Sequence, residues 1–167
     1  MIIEGYLKSR QEYELIIVGG INQFGKQWKA KYSNEKIKFT GAIFDKKILN
    51  NLRYFSKLHF HGHSVGGTNP SLLEAMACGC TIAAHANIFN KAILEKEASY
   101  CYSSEEIASL IDSKSYEKNS AFNREKNLNK IREIYSWEKI VSAYEKLMIE
   151  AMNTKASPVP SALHQIV

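Results

Sequence analysis

HFHGHSVGGTNPSLLEAMACG, residues 59–79, decides how the chain is read. The run 57–61 is short and bounded by loop residues, as a buried strand is. Gly62 to Asn69 follows as a loop, and a helix opens at Pro70, whose fixed φ suits a first helical turn. Asn69 is then the N-cap, and Gly66 and Gly67 let the backbone approach a ligand with N–H groups free. A strand, a glycine loop and a helix N-terminus in that order make an anion site at the carboxyl edge of a sheet. Glu74 falls one turn into the helix, among Leu72, Leu73, Ala75, Met76 and Ala77, where its carboxylate can accept hydrogen bonds from sugar hydroxyls. Leu73, Met76 and Ala77 form a stripe that reads as core.

Two other readings of the same residues stand beside this one. Gly66-Gly67 with Asn69-Pro70 is also what plain turn and cap chemistry looks like. His59, His61 and His63 alternate, so an extended segment puts them on one face, as a metal cluster would need. Against metal, no Cys or carboxylate nearby completes the set. A histidine inside a buried strand is commonly a hydrogen-bonded core residue.

Working outward, short apolar strands alternate with helices. Ile2, Ile3, Tyr6 and Leu7 share a helical face, and 14–20 holds a strand. Then come helix 24–32, strand 36–40, helix 45–55, the strand at 57–61 and the helix from 70. Strand 80–84, helix 89–95, strand 99–102 and helix 103–111 follow. Alternation of this kind predicts a doubly wound, Rossmann-like α/β domain whose parallel sheet is covered on both sides. Trp137, Ile140, Val141, Tyr144, Leu147 and Met148 recur at helical spacing and are expected to pack on it. The domain spans 1–152, and 153–167, with two of the three prolines, reads as a flexible or loosely docked tail. Such domains open with a strand, yet this chain opens in a helix, so the expectation is an N-terminal truncation that removes the first strand.

Composition narrows the class. A chain of 167 residues, 45% hydrophobic and 23% charged, is that of an ordinary globular domain. Its net charge of +5 favours acidic partners without choosing among them. Lys and Arg are scattered rather than interleaved with aromatics, which argues against nucleic acid. No apolar run approaches the roughly 18 residues of a membrane-spanning helix. Cys78, Cys80 and Cys101 lack ligand spacing and no signal peptide precedes them, so a cytoplasmic, reducing location is expected.

Several segments together resemble the C-terminal, donor-binding half of GT-B glycosyltransferases of family 4. They are Leu15-Ile-Ile-Val-Gly-Gly, Ile37-Lys-Phe-Thr-Gly-Ala-Ile-Phe, Pro70-Ser-Leu-Leu-Glu-Ala-Met-Ala-Cys-Gly and Ile134-Tyr-Ser-Trp-Glu-Lys-Ile. His61-Gly-His-Ser-Val-Gly-Gly-Thr-Asn-Pro is most similar to the bacterial rhamnosyltransferase-like branch, which makes surface polysaccharide. The resemblance implies transfer of a sugar from a nucleoside diphosphate, with no obligatory metal or other cofactor, as charge on the leaving diphosphate is stabilised.

By that resemblance Glu74 is the second glutamate of a Glu-x7-Glu motif and binds the ribose. Gly66 stands where the family has the first glutamate, which leaves the group holding the sugar unassigned. Gly67, Thr68, Asn69 and Pro70 face the diphosphate and sugar, and Gly41, Ala42, Ile43 and Phe44 frame the base. His61 and His63 lie at the sugar end and are the candidates for catalysis. The family's basic pair follows the first strand, so the chain is expected to be inactive by itself. A glycan or lipid-linked acceptor is implied, held by an N-terminal domain this chain lacks, with peripheral membrane association. Self-association through an exposed sheet edge is also expected. Two rival functions remain: a nucleotide-sugar epimerase of the same architecture, and a module that binds nucleotide or protein without catalysis.

Overall fold

Caps written into the sequence start most of the helices. The computed structural model describes residues 1–20 and 22–153. Among these, α1 (Ile2–Lys8) precedes β1 (Leu15–Val18), α2 (Gln23–Tyr32), β2 (Ile37–Gly41), α3 (Lys46–Phe55) and β3 (His59–His61). Then follow α4 (Pro70–Ala77), β4 (Ile82–His85), α5 (Ile88–Leu94), β5 (Ser99–Cys101), α6 (Ser104–Ser113), α7 (Ser120–Glu133) and α8 (Trp137–Asn153). Asn22, Asp45, Asn69, Asn87 and Ser103 each accept a hydrogen bond from a backbone N–H in the helix they open, which satisfies a donor the helix leaves orphaned.

The fold is an open α/β arrangement with parallel strands, in two ladders. β1 pairs with β2, and β3–β4–β5 form a second ladder. His59, Phe60 and His61 lie level with Ile82, Ala83 and Ala84, so His59 and His61 share a face with Ile82 and Ala84. That face is covered by Leu72, Ala75 and Met76 of α4 and by Ile93 and Leu94 of α5. On a second cluster, Ile3 and Tyr6 of α1 meet Leu15 and Ile37, and Phe60 packs against them. The Tyr6 hydroxyl donates to the Tyr13 and Lys36 carbonyls at 2.6 and 3.3 Å, tying α1 to the start of the first ladder.

Three expectations need correction. A sheet covered on both faces was predicted, but Ile16 and Val18 of β1 are 44% and 38% exposed. No described strand bonds the outer edges of β1 and β3, so the ladder stops between them. Short apolar runs announce strands without saying which of them pair. The stripe on α8 was expected to pack on the domain, yet Trp137 is 80% exposed and α8 buries no residue. Helical periodicity marks an apolar face but does not specify what covers it. The core stripe of α4 is likewise narrower than predicted: Met76 is buried, Leu73 is half-buried and Ala77 is exposed. Apart from Asn153, which closes α8, the tail at 153–167 lies outside the described residues. No described helix is long and apolar enough to cross a membrane.

Two contacts fix α7 on α5 and α1 on α6. From α7, the Lys130 ammonium donates to the Ile93 and Leu94 carbonyls at 3.2 Å and pairs with Glu97 at 2.6 Å, closing the C-terminal end of α5. Separately, α1 packs on α6 at Gly5. A methyl group there would stand 2.6 Å from Ile107 Cβ and 2.7 Å from the Ser104 carbonyl oxygen, closer than packed atoms tolerate. Gly5→Ala is therefore expected to destabilise the fold by about 1–3 kcal/mol in urea unfolding. An unchanged midpoint would mean that α1 is not seated on α6.

Candidate functional site

The β3–α4 loop is built from its cap outward. Asn69 Oδ1 accepts from the Ser71 N–H at 2.9 Å and from the Ser71 hydroxyl at 2.8 Å, while the Leu72 N–H donates to the Asn69 carbonyl at 3.0 Å. Pro70 occupies the first turn, where its missing N–H costs nothing. Upstream of the cap, Gly66 has φ of +107°, a backbone conformation that side chains disfavour. Gly66, Gly67 and Thr68 are exposed, and their N–H groups donate to no protein atom among the described residues. Open space surrounds both glycines. The loop thus presents unsatisfied donors beside the positive end of a helix, which is the chemistry an anion requires.

His61 closes the strand beneath this loop. It is 3% exposed, its Nε2 has no partner, and its ring stacks on that of exposed His63 with centroids 4.8 Å apart. Burial, helped by neighbouring His63, holds His61 down to about 4. Burial likewise lowers His59 to about 4, with Arg53 and His61 adding in the same direction. Both rings are therefore neutral near pH 7, and His61 offers an imidazole without charge. His61 is a core histidine as expected, but not a hydrogen-bonded one: no described hydrogen bond reaches its ring, and its buried Nε2 is orphaned. No group of three metal-binding side chains occurs among the described residues.

Glu74 sits one turn into α4 and is exposed, as its position predicts, but its carboxylate is engaged. Arg53 at the end of α3 donates from Nη2 to Glu74 Oε2 at 2.6 Å, with the Arg53 side chain only 10% exposed. Sequence reasoning missed Arg53, because its partner lies 21 residues away on another helix and no local spacing announces the pair. It also missed Asn90. This residue is 3% exposed, and its side chain donates to the carbonyls of His63 at 3.2 Å and His85 at 2.9 Å. The signal visible in sequence, Asn87 three residues before Asn90, reads only as a helix cap.

The second predicted wall is the corner between β2 and α3. Gly41 ends β2, Ile43 is half-buried, Ala42 is exposed, and Phe44 is 92% exposed ahead of the Asp45 cap. No hydrogen bond or ion pair joins residues 41–44 to residues 61–74 among the described residues. Phe44 and Arg53 flank α3 at opposite ends, and Lys46 to Arg53 rises about 10 Å along it. An open groove of about 350 Å³ lies instead beside the C-terminal end of α4, between Asn50, Tyr54, Cys78 and Leu128. Burial raises the thiols of Cys78, Cys80 and Cys101, so none is primed as a nucleophile.

No protein-family model matches the chain, and no curated protein matches it significantly.

Proposed function

We propose that the chain is the donor-binding part of a glycosyltransferase of the GT-B, family 4 kind, and that the 62–69 loop takes the diphosphate of a nucleoside diphosphate sugar. The observation that carries this reading is the row of unpartnered N–H groups at Gly66, Gly67 and Thr68, beside the capped N-terminus of α4. Donors held in place before the ligand arrives stabilise charge as it accumulates on a leaving diphosphate. The motif resemblance across residues 15–20, 37–44, 61–79 and 134–140 agrees with it, and its rhamnosyltransferase-like branch suggests a deoxythymidine diphosphate rhamnose donor.

The residues then divide by position. Gly66, Gly67 and Thr68 bind phosphate oxygens, with the N-terminus of α4 contributing its dipole. Glu74, held by Arg53, accepts from the ribose hydroxyls. His63, exposed beside the loop and stacked on neutral His61, donates to the sugar or to a phosphate oxygen. Phe44 and the 41–44 loop frame the base. With Gly66 in place of a carboxylate, the sugar is held by neutral donors rather than by a glutamate.

Calorimetric titration with dTDP, UDP and GDP tests the reading. One of the three is expected to bind, and Glu74→Ala is expected to weaken it more than about tenfold, or 1.4 kcal/mol. Arg53→Ala is expected to act in the same direction, because it releases the carboxylate from its fixed position. Binding indifferent to both substitutions, or salt-sensitive binding of an oligonucleotide in its place, would remove the donor-site reading.

A further inference from the structure

Resting on that donor-site reading, we propose that Asn87 and Asn90 are positioning residues that lock the start of the 62–69 loop at the height needed to present its N–H groups to a diphosphate. The two asparagines belong to the next strand–helix corner, not to the loop they hold.

The His63 carbonyl receives two side-chain amides, Asn87 Nδ2 at 2.9 Å and Asn90 Nδ2 at 3.2 Å. Asn90 Nδ2 also donates to the His85 carbonyl at 2.9 Å. A planar amide carries two hydrogens in fixed directions, and here each meets a carbonyl just beyond or at the end of one of two adjacent strands, β3 and β4. The Asn90 backbone N–H in turn donates to Asn87 Oδ1 at 2.7 Å, so the Asn87 side chain is held by the first turn of α5. Burying an amide is costly unless its donors are used, and an apolar residue of this size would fill the same space without that cost. What the amide adds is a fixed origin for the chain leaving β3. With both lone pairs of the His63 carbonyl occupied, the His63–Ser64 peptide cannot rotate without breaking two hydrogen bonds. The His61–His63 stack holds the same residue from its ring. Three residues further on are the open N–H groups of Gly66, Gly67 and Thr68.

Two variants isolate the role. Asn87→Ser keeps an N-cap acceptor for α5 and removes only one donor to His63. Asn90→Ala removes the bridge to both carbonyls. Ile93→Val, a buried change on the same helix, serves as the control for a purely structural loss. Backbone order at the His63 and Ser64 amides is measured by NMR relaxation in the free protein, and affinity for dTDP, UDP and GDP by calorimetry.

The expected result is loss of order at both amides and at least tenfold weaker nucleotide binding in Asn90→Ala. A smaller effect of the same sign is expected in Asn87→Ser, with Ile93→Val within twofold of the parent. Unchanged order at His63 and Ser64 in both asparagine variants overturns the anchoring. Lost order with unchanged affinity overturns its role in binding. If the parent protein binds none of the three nucleotides, the donor-site reading fails and this role fails with it, whereas the relaxation data still report whether the anchor exists.

Discussion

Between pH 7 and pH 4.5 the fold is expected to lose about 2 kcal/mol of stability through His61 alone. Burial holds this imidazole neutral down to about 4 in the folded chain, whereas the unfolded chain takes up its proton near 6.5. The unfolded state therefore binds more protons in this window, and stability falls as pH falls through it. Above about pH 7.5 both states are neutral at this position and the dependence vanishes. His59, lowered for the same reason with Arg53 adding, contributes in the same direction. Urea midpoints at pH 7 and 4.5 measure the loss, and ending at 4.5 keeps most carboxylate titration outside the window. His61→Gln, which cannot take up a proton, is expected to remove its share of the slope. A slope unchanged in that variant would place the titrating group elsewhere.

Leu72→Ala is expected to cost about 3 kcal/mol at neutral pH, within the usual range for a large side chain removed from a closed core. Leu72 is fully buried and packs in one cluster with Ala75, Met76, Ile82, Ala84, Ile93 and Leu94. It joins α4 to both the sheet and α5, the helix that carries Asn87 and Asn90. Urea unfolding of Leu72→Ala beside Leu73→Ala tests this, since half-buried Leu73 should cost clearly less. A loss under about 1 kcal/mol for Leu72→Ala would mean that α4 is not seated as described.

How far the sequence was legible depended on the range of the interaction. Asn69-Pro70 and Asp45-Lys46 carry their meaning within four residues, and both helices start where the spelling says they do. The strands at residues 15–18 and 59–61 were equally plain, because apolar runs bounded by glycine, serine or asparagine are local events. Arg53 with Glu74, and Asn90 with the His63 carbonyl, join residues 21 and 27 apart in the chain through two different elements. No periodicity encodes such pairs, so they are read only once the helices are placed. The α8 stripe failed for the opposite reason. Its spacing was read correctly as an apolar face, and burial was inferred from a pattern that carries no partner.

The break in the ladder has a consequence for cooperativity. β1 and β2 are joined to the rest through side chains gathered around α1, with no described backbone bridge between β1 and β3. Few residues of the first ladder are deeply buried, chiefly Leu15 and Ile37, whereas the second rests on a contiguous cluster from Leu72 to Leu94. Opening the first part therefore exposes little apolar surface and breaks no ladder in the second. The β1–β2 ladder is thus expected to open at lower cost than the β3–β4–β5 ladder, with the glycine loop belonging to the more stable part.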